Sequence, residues 1–119
     1  MTTRVAEWKA AWESRDLRRI LALYAPDATH ASALVRQFRP ETASTTLRGV
    51  AEIGEYFGRA LARFTWLRFD VVSVTEDAER SAVEYRRQSN VDGDAPAHVL
   101  ELLEWRPDGR LGAVRVFHV

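Results

Sequence analysis

The chain contains no cysteine, one methionine and only four prolines in 119 residues. Without cysteine it has no disulfide, no thiolate metal ligand and no cysteine nucleophile, which fits a reducing compartment. No apolar run approaches the ~18 residues of a membrane span. The opening residues also lack the basic and then apolar pattern of a secretory leader. We therefore expect a cytoplasmic protein with no membrane partner. Net charge is missing too, with 17 basic residues against 17 acidic ones. Such a balance leaves no electrostatic footprint for nucleic acid or anionic lipid. Sixteen of the basic residues are arginine and only Lys9 is lysine. We read that bias as the codon usage of a GC-rich genome rather than as phosphate binding. Pairs such as Arg18-Arg19 and Arg86-Arg87 read as solvated faces. Repeats, low-complexity tracts and long linkers are absent, so the chain reads as one domain, residues 1–119, that buries roughly two-thirds of its unfolded surface.

What is present is a sequence of strong periodicities. A first helix is expected over about residues 3 to 14, with Val5, Trp8 and Trp12 on one stripe. A second follows Asp16, a good N-cap because its carboxylate can accept from first-turn amides. Leu17, Ile20, Leu21 and Tyr24 lie at i, i+3, i+4 and i+7 on its inner face, and Pro26 is expected to stop it. A strand near 28 to 34 then aims Ala28, His30, Ser32 and Leu34 one way, and Thr29, Ala31 and Ala33 the other. Residues 35 to 46, with Pro40 and a Thr/Ser cluster, read as a loop ending in a short strand before Gly49. A third helix is expected from about Val50 to Phe64. Four strands follow near 66–75, 80–89, 97–106 and 111–119, with turns at Glu76-Asp77, Asp92-Gly93-Asp94 and Pro107-Asp108-Gly109. Helices first and a meander last is an α+β order. The strand around 99–105 is apolar on both faces, so we expect helices across one face and a second copy of the chain across the other.

The order of elements resembles the nuclear transport factor 2-like superfamily, in its SnoaL-like and ketosteroid isomerase-like branch. The resemblance covers essentially the whole chain. Its carriers are Ser14-Arg15-Asp16-Leu17, Leu23-Tyr24-Ala25-Pro26-Asp27-Ala28, Gly49-Val50-Ala51-Glu52-Ile53 with Tyr56-Phe57, and Asp108-Gly109-Arg110-Leu111. It implies a cone-shaped α+β barrel, three N-terminal helices packed on a curved, mostly antiparallel sheet, with a conical pocket. Many chemistries use that fold, so activity has to be argued from the site. In the isomerase branch the catalytic aspartate falls at Ser32 here, the oxyanion tyrosine at Trp8 and the oxyanion aspartate at Glu101. Only Glu101 keeps a carboxyl group, so this is not expected to be a ketosteroid isomerase. The limonene epoxide hydrolase carboxylate would fall at Val116, and the scytalone dehydratase pattern is not recognisable.

Strand parity and the resemblance together point Val83, Tyr85 and Arg87, then Val99, Glu101, Leu103 and Trp105, then Val114, Val116 and His118 inward. The resulting pocket is aromatic, with few polar groups. We expect His30, Glu101 and His118 to carry any catalysis. Trp8, Trp12, Ser32, Tyr56, Tyr85, Arg87, Leu103, Trp105 and Val116 are the candidate substrate contacts. In that reading Glu101 stays protonated among apolar neighbours and donates to a developing enolate, with His30 as the base. The reaction class is proton transfer next to a carbonyl of a hydrophobic small molecule: isomerisation, cyclisation or dehydration. Each group also has a plainer reading. His30 and His118 can serve backbone groups or an open rim, Glu101 can pair with Arg87 across the sheet, and the tryptophans can be core. The alternative function is a non-catalytic ligand-binding or dimerisation module. His30, His118 and Glu101 are ligand types that suit zinc or ferrous iron, but no close ligand pair supports a site. Neither a metal nor another cofactor is expected.

Overall fold

The computed structural model describes residues 1–38 and 44–119. Helix α1 (Thr3–Ser14) is capped by the Thr2 hydroxyl and ends at Arg15, whose φ of 58° reverses the chain. Helix α2 (Leu17–Leu21) starts at Asp16, which accepts from the Arg19 amide at 3.2 Å. Both beginnings follow from short polar side chains satisfying first-turn amides. Helix α2 is shorter than its periodicity predicts. It closes at Ala22, and Tyr24 opens strand β1 (Tyr24–Ser32) instead of lying on the helix. Pro26 therefore stands inside β1, at the register shift between Tyr24 and Thr29. A residue with no N–H is tolerated where the ladder is interrupted.

A short helix α3 (Val35–Phe38) occupies the start of the expected loop, while Pro40 lies outside the described residues. Strand β2 (Thr46–Arg48) leads into helix α4 (Val50–Leu61), which ends three residues earlier than expected. Gly49 joins them with φ 84°, a conformation that a Cβ would strain. The long strands β3 (Leu67–Glu76), β4 (Arg80–Ser89), β5 (Ala97–Trp105) and β6 (Leu111–His118) follow.

One sheet contains all six strands in the order β2-β1-β6-β5-β4-β3. Every pairing is antiparallel except β1 with β6. The sheet is curved rather than closed into a barrel. Its concave face carries the core, where Trp8, Ile20, Ile53, Phe57, Leu103 and Val114 are almost fully buried. On β1 the alternation holds: Ala28, His30 and Ser32 are buried, while Thr29 and Ala31 between them are half-buried. No helix among the described residues is long and apolar enough to cross a membrane.

Candidate functional site

Helix α4 and the concave face of the sheet enclose a cavity of about 280 Å³. Ladder register decides who meets there. Ser32 is paired with Val116, and Val116 with Glu101, so these three form one row across β1, β6 and β5. His30 stands one inward position behind Ser32, opposite Val114. His118 stands opposite Val99, which is opposite Tyr85. Helix α4 covers this surface with Tyr56, Phe57 and Ala60 at helical spacing, and the turn that follows it adds Arg63 and Phe64. Trp12 and Phe69 complete the apolar wall, with ring centroids 6.3 Å apart.

The floor holds two hydrogen-bonded pairs. The Tyr85 hydroxyl donates to Glu101 Oε1 at 2.5 Å, a diagonal cross-strand contact within reach of long side chains. The Tyr24 hydroxyl and His30 Nδ1 are 3.2 Å apart. Phe57 meets the imidazole edge-on at 4.9 Å. Glu101 is 5% and His30 3% exposed, and burial moves their titrations in opposite directions. Burial raises the Glu101 carboxyl to about 7, although the Tyr85 hydrogen bond and the Arg87 charge hold it down. Burial lowers the His30 imidazole to about 3. Low-dielectric surroundings disfavour whichever form is charged. Near neutrality the imidazole is therefore uncharged, while the carboxyl stands at its midpoint. A base at His30 needs an imidazole that titrates near neutrality, and its depth in the core opposes that. Tyr56 is also raised by burial and is hydrogen-bonded to Ser32.

Two cavity-lining side chains bury a polar atom with no hydrogen-bond partner among the described residues: Glu101 Oε2 and Trp12 Nε1. The alternative reading, an ion pair between Glu101 and Arg87, does not form. Arg87 instead grips Asp92 with Nε and Nη2, at 3.0 and 2.7 Å. The Asp92-Gly93 turn returns close to β4 and offers a nearer carboxylate. His118 lies exposed at the rim, its pKa lowered by burial and by Arg87.

The structure brings Trp12, His30, Ser32, Tyr56, Tyr85, Arg87, Glu101, Val116 and His118 to this one cavity. Trp8, Leu103 and Trp105, also expected as substrate contacts, are not among its lining residues. Trp8 is sealed between Phe69 and Tyr85, at 5.4 and 5.7 Å. Leu103 lies one row deeper than Glu101. Trp105 donates to Ser81 Oγ at 2.9 Å at the far end of β5. Two residues of the site are not legible in the sequence: helical spacing puts Tyr24 on α2, and Asp92 carries only a turn signal. Among the described residues no group of three or more His, Cys, Asp or Glu is placed to hold a metal ion.

A curved six-stranded sheet with helices over its concave face, enclosing a cavity between them, defines a protein of the nuclear transport factor 2-like class. Residues 5–114 match the SnoaL-like domain, and the chain belongs to that family. Solved structures agree. A SnoaL-like protein of unknown function from Burkholderia thailandensis is 26% identical, with a TM-score of 0.81 over 96% of this chain and 89% of that one. A proposed polyketide cyclase from Sinorhizobium meliloti is 16% identical, with a TM-score of 0.75 over 98% and 95%. TerC, co-crystallised with polyporic acid, is 18% identical, with a TM-score of 0.76 over 98% and 88%. The last two likenesses speak to the fold alone. No curated protein matches the chain at a significant level.

Proposed function

We propose that the cavity binds a hydrophobic small molecule and that Glu101 transfers a proton next to its carbonyl, as in isomerisation, cyclisation or dehydration. The observation that carries this reading is the Glu101 carboxyl itself. One oxygen is fixed by Tyr85 and the other has no partner among the described residues, in a cavity walled by aromatic rings. An acid held near its midpoint at neutral pH can give and take a proton with equal ease, which is where general acid–base catalysis is most effective. The uncharged His30 ring then acts as a hydrogen-bonding group toward the substrate oxygen, and not as the base. In the tautomer where the Tyr24 hydroxyl donates to Nδ1, the ring proton sits on Nε2 and serves as the donor to the substrate. His118 orients ligand at the rim.

A proposed polyketide cyclase and a proposed isomerase that share this fold support the class. The outer sheet face, where Leu100, Leu102 and the 46% exposed Phe117 lie together, is in this reading the surface for a second copy of the chain. A cytoplasmic location belongs to the same reading. The test is deuterium exchange at the α-carbon of 1-indanone and 2-tetralone in D₂O, followed by NMR. The protein is expected to accelerate exchange, and Glu101→Gln to lower the rate at least tenfold, given the ~10²–10⁴ that a positioned acid or base supplies. Ketones that bind but exchange at the buffer rate would make the cavity a binding module.

A further inference from the structure

The cavity has a second charged group, and it stands at the mouth rather than the floor. Arg87 follows Tyr85 by two residues on β4 and is paired in register with Phe69 of β3. Its side chain is 21% exposed and that of Asp92 6%. The Asp92 carboxylate accepts from Arg87 Nε and Nη2, and also from the Ser89 hydroxyl at 2.7 Å. The Ser89 hydroxyl in turn accepts from the amides of Val91 and Asp92, at 3.0 and 3.2 Å. The Phe64 ring lies 5.4 Å from the guanidinium carbon. This is a rigid mount, and it uses only one edge of the guanidinium. Of five N–H groups, those on Nη1 and one on Nη2 have no partner among the described residues. Arg63 lies on the same rim, while Asp92 is not among the lining residues. His118 lines the cavity too, and among the described residues Glu101 is the carboxyl that lines it.

We propose that the ligand carries a carboxylate at the end of its hydrophobic body nearest the mouth, and that the free edge of Arg87 holds it. This deepens the cavity reading above and rests on it. A neutral ligand filling the mouth would strip water from three N–H groups without replacing it, and burying polar groups unpaired is costly. A carboxylate matches the planar fork geometrically and electrostatically. The Asp92 pair does not cancel this preference, because it occupies the opposite edge and holds the plane in place.

The experiment is calorimetric titration with two compounds of one shape, 2-naphthoate and the neutral ketone 2-acetonaphthone. The parent protein is expected to bind the carboxylate at least tenfold more tightly. Arg87→Met is expected to equalise the two while still binding the ketone. Because that variant leaves Asp92 buried and unpaired, Arg87→Met combined with Asp92→Asn is measured beside it. Equal affinities in the parent, or a preference that survives in the double variant, overturn the carboxylate inference and leave the cavity reading standing. Binding of neither compound overturns both. Absence of α-carbon exchange touches only the proton-transfer reading.

Discussion

Replacing Glu101 with glutamine is expected to change how stability depends on pH, by an amount the site itself sets. The carboxyl rises from an ordinary 4.5 to about 7 on folding. At about 1.36 kcal/mol per pH unit this corresponds to about 3 kcal/mol. Because the folded pKa lies above the unfolded one, the folded state binds the extra proton between these values. The contribution is complete below pH 4.5 and is lost as pH rises through 7. His30 runs the other way. Its folded pKa of about 3 lies below the ordinary 6.5, so its contribution grows from pH 3 to 6.5, by about 5 kcal/mol. Between 4.5 and 6.5 the two slopes oppose each other, and the parent curve is correspondingly flat. Glutamine keeps the acceptor for Tyr85 and removes the titration. Its amide nitrogen, placed where Oε2 has no partner, costs about 1–3 kcal/mol, but equally at every pH. Urea unfolding followed by tryptophan fluorescence at pH 4 and pH 8 is the assay. The stability of Glu101→Gln relative to the parent is expected to improve by about 3 kcal/mol between those pH values. A difference that stays constant within about 0.5 kcal/mol would show that the carboxyl is not raised, and the argument for catalysis would lose its basis.

Tyr85→Phe removes the hydrogen bond that favours the Glu101 carboxylate, so the Glu101 midpoint is expected to move further above 7. Carbon-13 NMR of the labelled carboxyl reads this directly, and an unchanged or lower midpoint refutes it. For the outer sheet face, light scattering at micromolar concentration is expected to give twice the chain mass, and Leu102→Glu to return it to one chain; a monomeric parent refutes the dimer.

The elements most readable in the sequence were those governed by one short-range rule. Asp16 capping α2, the inward parity of His30 and Ser32, and the alternation along β5 all follow from backbone period and local hydrogen bonding. Tyr24 was misplaced because Leu17, Ile20 and Leu21 set a helical spacing that it happens to continue. Nothing local shows that the chain needs Tyr24 opposite Leu111 on β6. The two titrations were legible only in part. A carboxyl between leucines points to a raised pKa, but the depth of His30 depends on Tyr24, Tyr56 and Phe57 arriving from other elements. Likewise Arg87 and Glu101 share a face by parity, yet the turn that brings Asp92 nearer decides the partner.

The parallel pairing of β1 with β6 has a consequence for how the protein comes to be made. β1 follows the first two helices, whereas β6 is the last strand of the sheet, and it is the strip that joins β2-β1 to the meander β5-β4-β3. During synthesis the helices and the β1–β2 pair emerge well before their neighbour does, leaving one flank of β1 open. Closing that seam brings together residues far apart in sequence, the kind of step that slows folding. His30 and Glu101 lie on opposite sides of it, so the nascent chain has no cavity until Leu111–His118 has been built in. The seam and the cavity are completed in the same step.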